Sequence, residues 1–420
     1  MGYHSKCRGC EFLMAEYLIQ DSTLTELADA VREKTGTNVD MTPSGMVSAI
    51  ESIGAGIEDS TAFIERTVSG EYARDDVETI GSYAFAGMSV TSVSFPSAIS
   101  MGDFAFANCT SLTSASLPKT TSIGSYAFSG CASLKSAIFP SATRVGAYAF
   151  YSCISLASMS LPNIANVGDF AFANCTSLVS VSLPLATSIG KGAFSSCTSL
   201  TSVNLPKASI IGNLAFQSCN NLAYASLPLA TTIGTNAFYG CSSLTSINLP
   251  SATTIDTYAF DYCIELTSAS LPKVTSIGAG AFQRCAKLQS AICPSATSVG
   301  AYAFNNCTSL TSVSLPKAIT IGAYAFSSCT SLTSINLPLV TSIGGGAFQN
   351  CASLSKITLC ASTLCSITEG FYFGYGAPPT FSGTLITSTT GSIIVPASLL
   401  ASYKVASIWS YYSNRIYSGA

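Results

Sequence analysis

Residues 310–331 read LTSVSLPKAITIGAYAFSSCTS, and the fold follows from this one stretch. Leu310, Val313 and Leu315 stand at i, i+3 and i+5, with Ser312 and Ser314 between them. That spacing predicts a short strand whose apolar side chains turn inward. Pro316 ends the strand, because it has no amide hydrogen for a ladder. Ile321-Gly322 predicts a second inward contact and a turn. Residues 323–328 predict a short helical or 3₁₀ turn carrying Phe326, with Cys329 following it inward. One such unit offers about six apolar side chains, too few to fold alone, so its neighbours must complete the core.

The unit recurs. From Phe106 to Phe348 an Ala-Phe pair returns every 22 residues, and Phe85 stands one residue short of that period before Phe106. Three residues after each phenylalanine from Phe106 onward comes a cysteine, from Cys109 to Cys351; Met88 takes that place in the first unit. Proline keeps the same phase from Pro96 and Pro118 through to Pro338. A fixed short period marks a solenoid. The fold class expected is a repeat solenoid of about 13 coils of 22 residues over 83–360, roughly 60 Å long at the inter-strand spacing.

The pattern L-x-x-[IV]-x-L-P-x-x-x-x-x-I-G-x-x-A-F-x-x-C resembles the BspA-like leucine-rich repeat family. That resemblance implies a surface adhesion or recognition protein of bacteria, phages or protists. Outside the array, residues 1–13 read as a leader or a misplaced start, since Met14 opens MAEYLIQDSTLTELADAV. Residues 14–56 predict a small α-helical module, with Leu24, Leu27, Ala28 and Val31 on one face and a second helix starting at Thr42-Pro43. This pair resembles an N-terminal module of phage and prophage tail-associated proteins, which implies attachment to other virion proteins. A generic helical cap is the alternative reading. Residues 57–82 are expected to be an N-terminal cap containing a hairpin. Residues 361–420 are expected to be a C-terminal cap, with a strand, Pro396 and a helix burying Leu400, Tyr403, Ala406 and Trp409.

Composition narrows the function classes. Hydrophobic residues make up 48% of the chain, only 9% are charged, and mean hydropathy is +0.44. Ser, Thr, Gly or Pro nevertheless interrupts every apolar run, so no membrane insertion is expected. Residues 83–360 carry five acids and ten scattered bases, too dilute for a nucleic-acid footprint. No continuous apolar segment of the secretory kind opens the chain. The cysteine column points one way into the core and reads as reduced thiols serving as small buried hydrophobes. A straight column cannot converge four ligands on a metal. Cys7-x-x-Cys10 with His4 is at best half a zinc site.

No enzyme and no cofactor are expected. His4 is the only histidine, which leaves no nucleophile dyad inside the array. Asp256, Asp261 and Glu265 are the one acid cluster, and paired carboxylates there would suit a carbohydrate-active enzyme. A solvated irregular coil is the plainer reading.

Two surfaces are candidates for binding. The first is the residue before each Ala-Phe: Tyr83, Phe104, Tyr126, Tyr148, Phe170, Tyr258, Tyr302 and Tyr324. Such rings suit sugars or a protein partner, and equally suit covering the core. The second is the outward strand rows, including Ser202, Asn204, Tyr224, Asn248 and Asn336. The expected function is a phage or prophage tail-associated receptor-binding protein in the virion, contacting a host-surface protein or glycan. A bacterial cell-surface adhesin is the alternative. A homo-oligomer fits either.

Overall fold

The computed structural model of the chain describes residues 68–368, 371–372, 375–376, 380–387, 390–406 and 408–419. Each 22-residue unit makes one coil of a parallel β-solenoid, as expected, but with two strands per coil rather than one. The first strand is the Ser-x-Ser segment, such as Ser312–Ser314. The second is the Thr-Ile pair, such as Thr320–Ile321, expected only as a contact and a turn. These second strands build one continuous fourteen-stranded sheet from Thr79–Ile80 to Ser366–Thr368. The first strands divide into shorter sheets of two to four strands.

Register is held rung by rung. Ile255 pairs with Ile277, and Ser202 with Tyr224 and then Ser246, so like positions lie above one another. The glycine that follows the second strand's Ile, Val or Met in most coils permits this close stacking. A Cβ on Gly300 would stand 2.6 Å from the backbone nitrogen of Ala279 in the preceding coil.

Residues 323–328 are not helical, and the reason is local. Tyr324 and Ser328 both adopt positive φ, 55° and 62°, which no right-handed helix tolerates. The same two positions repeat along the array, filled by aromatic residues, Asn, Ser or Gly and once each by Leu214 and Arg284. The kinked segment turns alternate amides toward the next coil, while those between them close turns within the coil, as Ser327 N does on Tyr324 O at 3.1 Å. Tyr324 N donates to Gly345 O at 3.0 Å, Phe326 N to Ala347 O at 2.8 Å and Ser328 N to Gln349 O at 2.7 Å. At these alternate residues the inter-coil bonds take the place of the bonds a continuous helical turn would make.

The core is a single buried cluster running the length of the solenoid. At its centre the phenylalanines stack face to face: Phe150 and Phe172 have ring centroids 5.1 Å apart at 3°. The column begins at Phe85 and ends at Phe381, 5.8 Å from Phe348, so a further coil closes it beyond the expected bound of 360.

The ends differ from expectation as well. Ser69–Ala73 pairs in parallel with Ser89–Ser94, and Thr79–Ile80 with Ser100–Met101. Residues 69–82 therefore form the first coil, and no hairpin is present there. At the other end Ser392–Val395 and Ile416–Ser418 extend the first-strand sheet in parallel. The helix is short, Leu400–Val405, and Trp409 opens a separate 3₁₀ segment, Trp409–Arg415. Tyr403 and Trp409 are buried while Leu400 and Ala406 are half-buried. The cap is pinned at Cys365, whose amide donates to the Tyr403 hydroxyl at 2.9 Å and whose carbonyl accepts from Trp409 Nε1 at 2.6 Å. The expected helical module at 14–56, and Cys7 and Cys10 with His4, lie outside the described residues.

Candidate functional site

Repeating positions present three kinds of side chain outside the core, and hydrogen bonding sorts them. Threonines form columns in which each hydroxyl donates to the carbonyl of the equivalent residue one coil earlier. Thr143 bonds Thr121 O at 3.1 Å, Thr253 bonds Thr231 O at 3.1 Å, and Thr275 bonds Thr253 O at 3.3 Å. A second column does the same, with Thr245 on Ala223 O at 3.0 Å and Thr311 on Gln289 O at 3.1 Å. These hydroxyls are occupied in holding coils together, a role the sequence reading did not separate from the rest of the polar surface. The signal was available in the choice of Thr over Ser at those two positions.

The residues before Ala-Phe do form a column. Tyr83, Phe104, Tyr126, Tyr148 and Phe170 stack with centroids 4.6–5.0 Å apart, and Tyr302 and Tyr324 stack at 5.1 Å. The stack stops where the coil supplies glycine: a Cβ on Gly192 would run into the Phe170 ring, and one on Gly346 would stand 2.5 Å from Tyr324 Cε1. Tyr258 lies over Gly280 in the same way. Within the stack each ring face is covered by the neighbouring ring, leaving ring edges and hydroxyls toward solvent. Most of these rings are half-buried; Tyr258 is 37% exposed.

The outward strand rows are different again. Ser202, Asn204, Tyr224, Asn248 and Asn336 are all exposed. Tyr224 has no stacked ring among the described residues, and its neighbours in the row are Ser202 and Ser246. Exposed apolar side chains that the sequence reading passed over also occur on these coils. Leu185, Ile210 and Leu229, on three successive coils, are 38%, 51% and 51% exposed. Leu185 and Leu229 hold a position where Lys207, Lys273 and Lys317 stand in other coils, and that exchange was the signal.

The acid cluster does not present free paired carboxylates. Buried Asp261 accepts two bonds from Arg284 of the next coil, Nε to Oδ1 at 3.0 Å and Nη2 to Oδ2 at 2.5 Å. Glu265 pairs with Lys287 at 2.7 Å. Asp256 takes the place of the packing glycine. The cysteine column is equally committed. Each thiol from Cys131 to Cys351 donates to the carbonyl of the phenylalanine 25 residues earlier, as Cys219 does to Phe194 O at 3.1 Å. Burial pushes the Cys109 thiol up to about 11 and those of Cys175 and Cys219 to about 12. Such thiols stay protonated and unreactive at neutral pH. Every described cysteine is unpaired, and no metal-binding group of His, Cys, Asp or Glu occurs among the described residues.

Stacked 22-residue coils around one continuous hydrophobic core have the architecture of a leucine-rich repeat scaffold. The BspA type leucine-rich repeat region matches residues 59–162, 143–267 and 253–374, most of the chain, and the protein belongs to that family. Among solved structures it is similar to a leucine-rich repeat protein from Bacteroides ovatus, at 28% identity over 84% of this chain and 95% of that one, with a TM-score of 0.59. It is also similar to a leucine rich cell surface protein from Faecalibacterium prausnitzii: 24% identity, 73% and 89% covered, TM-score 0.45. A third is a leucine-rich repeat protein from Eubacterium ventriosum, at 21% identity, 76% and 90% covered, TM-score 0.45. No curated protein matches the chain. No helix among the described residues is long and apolar enough to cross a membrane.

Proposed function

We propose that the chain is a non-enzymatic recognition scaffold, meeting a host-surface protein or glycan with the exterior of its coils. One observation carries this reading. Thr hydroxyls, Cys thiols, Asp261 and Glu265 are consumed by bonds between coils, whereas the outward strand rows, serine at most coils with departures such as Asn204, Tyr224, Asn248 and Asn336, carry no such side-chain bonds among the described residues. Variable groups free of internal duty are what a rigid scaffold offers a partner.

Membership of the BspA type family supports display as a bacterial cell-surface adhesin. The resemblance of residues 14–56 to a phage tail module supports a second placement, in a virion tail with that segment contacting other tail proteins. Two fractions separate them. Labelling of intact cells by a membrane-impermeant reagent is the expected result for the adhesin, and co-sedimentation with induced phage particles for the tail protein. Recovery only from the soluble cytosol sinks surface display altogether. Glycan turnover that disappears when Asp256, Asp261 and Glu265 are replaced would overturn the non-enzymatic reading.

A further inference from the structure

We infer that the three coils around Tyr224 form a subsite for a neutral, extended polysaccharide lying along the solenoid axis; this rests on the recognition reading above and gives that surface its ligand class.

Ser202–Asn204, Tyr224–Ser226 and Ser246–Asn248 form one three-stranded parallel sheet. Its register places Ser202, Tyr224 and Ser246 in one outward row and Asn204, Ser226 and Asn248 in the next. The central residues Val203, Ala225 and Ile247 turn inward. Tyr224 is the only aromatic residue in either row from Ser158 to Asn336, and it is 44% exposed. Its flanking serines leave its ring faces uncovered by other rings, unlike the stacked column that runs from Tyr83 to Phe170.

An uncovered ring beside amides is the chemistry a pyranose requires. The C–H face of the sugar packs on the π-system, and each Asn amide offers both a donor and an acceptor to ring hydroxyls. Asn204 and Asn248 stand on the coils either side of Tyr224 along the axis, and neither side-chain amide bonds to the described protein. The two rows carry no acid or base from Ser158 to Asn336, so nothing recommends a charged ligand. Rungs repeat at about 4.8 Å, close to the advance per residue of an extended polysaccharide, so successive sugars meet successive coils. A shallow cavity of about 160 Å³ lies beside Asn204, lined also by Ser182, Pro184 and Pro206.

The test is native affinity electrophoresis of the full chain through gels holding hydroxyethyl cellulose, mannan or galactomannan, with heparin as the anionic comparison. Retardation by at least one neutral polymer is expected. Tyr224→Ser should weaken it by at least about tenfold, the loss expected of an aromatic anchor. That variant restores the residue standing in the rest of the row, so its melting curve should match the parent and a folding defect cannot explain the loss. Tyr224→Phe should keep most of the retardation, and Asn204→Ala with Asn248→Ala should reduce it. Retardation by heparin alone, by none of the polymers, or equally in Tyr224→Ser overturns the subsite. If Tyr224→Ser also attaches to intact host cells or mucin as well as the parent does, the recognition reading survives and only the subsite falls.

Discussion

Two aromatic columns run along this molecule, and they obey different rules. The inner one, Phe85 to Phe381, has a ring at every coil, each buried and stacked on the next. The outer one, starting at Tyr83, is interrupted by Gly192, Leu214, Asn236, Gly280 and Gly346. Both stack at similar distances, so ring geometry alone does not separate them. Burial does. Deleting an inner ring would open a void in a core that cannot collapse, because the backbone on both sides is clamped by inter-coil bonds. An outer gap merely admits water. Uniformity therefore marks what the stack requires, and variation marks where the stack makes no demand.

Substitutions sharpen that contrast, beginning with the largest effect. Phe216→Ala, mid-array in the inner column, should cost about 3–5 kcal/mol. Because each coil touches only its neighbours, the denaturant transition should also split into two steps of lower slope. A single unchanged transition would show that the coils are not coupled through this column. Arg284→Ala leaves Asp261 buried without its partner and should cost roughly 2 kcal/mol in chemical denaturation, less than for a fully buried pair because Arg284 is 42% exposed. Tyr148→Ala, which removes one outer ring, should cost only about 1 kcal/mol. Tyr148→Gly should cost less still, since glycine accepts the φ of 57° without strain. If Tyr148→Ala rivals Phe216→Ala, the two columns are equivalent and the contrast fails.

The thiol column predicts a pH dependence of definite sign. Burial raises these thiols above the ordinary value of 9.0, so the folded state holds its protons where the unfolded chain releases them. Stability should be flat below pH 9 and fall as pH rises toward 12. Replacing Cys175 and Cys219 by Ala should shrink the alkaline loss measured by pH-dependent melting. An unchanged alkaline slope would remove the thiols as its cause.

Much of this fold could be read from spacing. Phenylalanine and cysteine returning every 22 residues, with Ile-Gly in phase, leave few alternatives to stacked coils, and the inward positions of Leu310, Leu315, Phe326 and Cys329 followed. Residues 323–328 were misjudged because Ala, Tyr, Phe and Ser give no sign of positive φ, which L-residues adopt here only because carbonyls in the next coil accept their amides. The first coil at 69–82 was missed because it lacks the in-phase proline of the coils that follow. Phe381 was hidden by an insertion between Ile367 and the ring. At the candidate site, Tyr224 and its asparagines were visible as departures from serine. Their isolation from other rings was not, since it depends on register.

The amino-acid order by itself settled the period, the inward residues and the absence of a dense charge footprint, because a side chain repeated in phase must occupy the same place in every coil. Only the folded stack decided which polar groups remain free. Whether a hydroxyl, a thiol or a carboxylate is spent on its neighbour depends on what the adjacent coil places within hydrogen-bond reach, and that separation of a few ångströms is created by stacking.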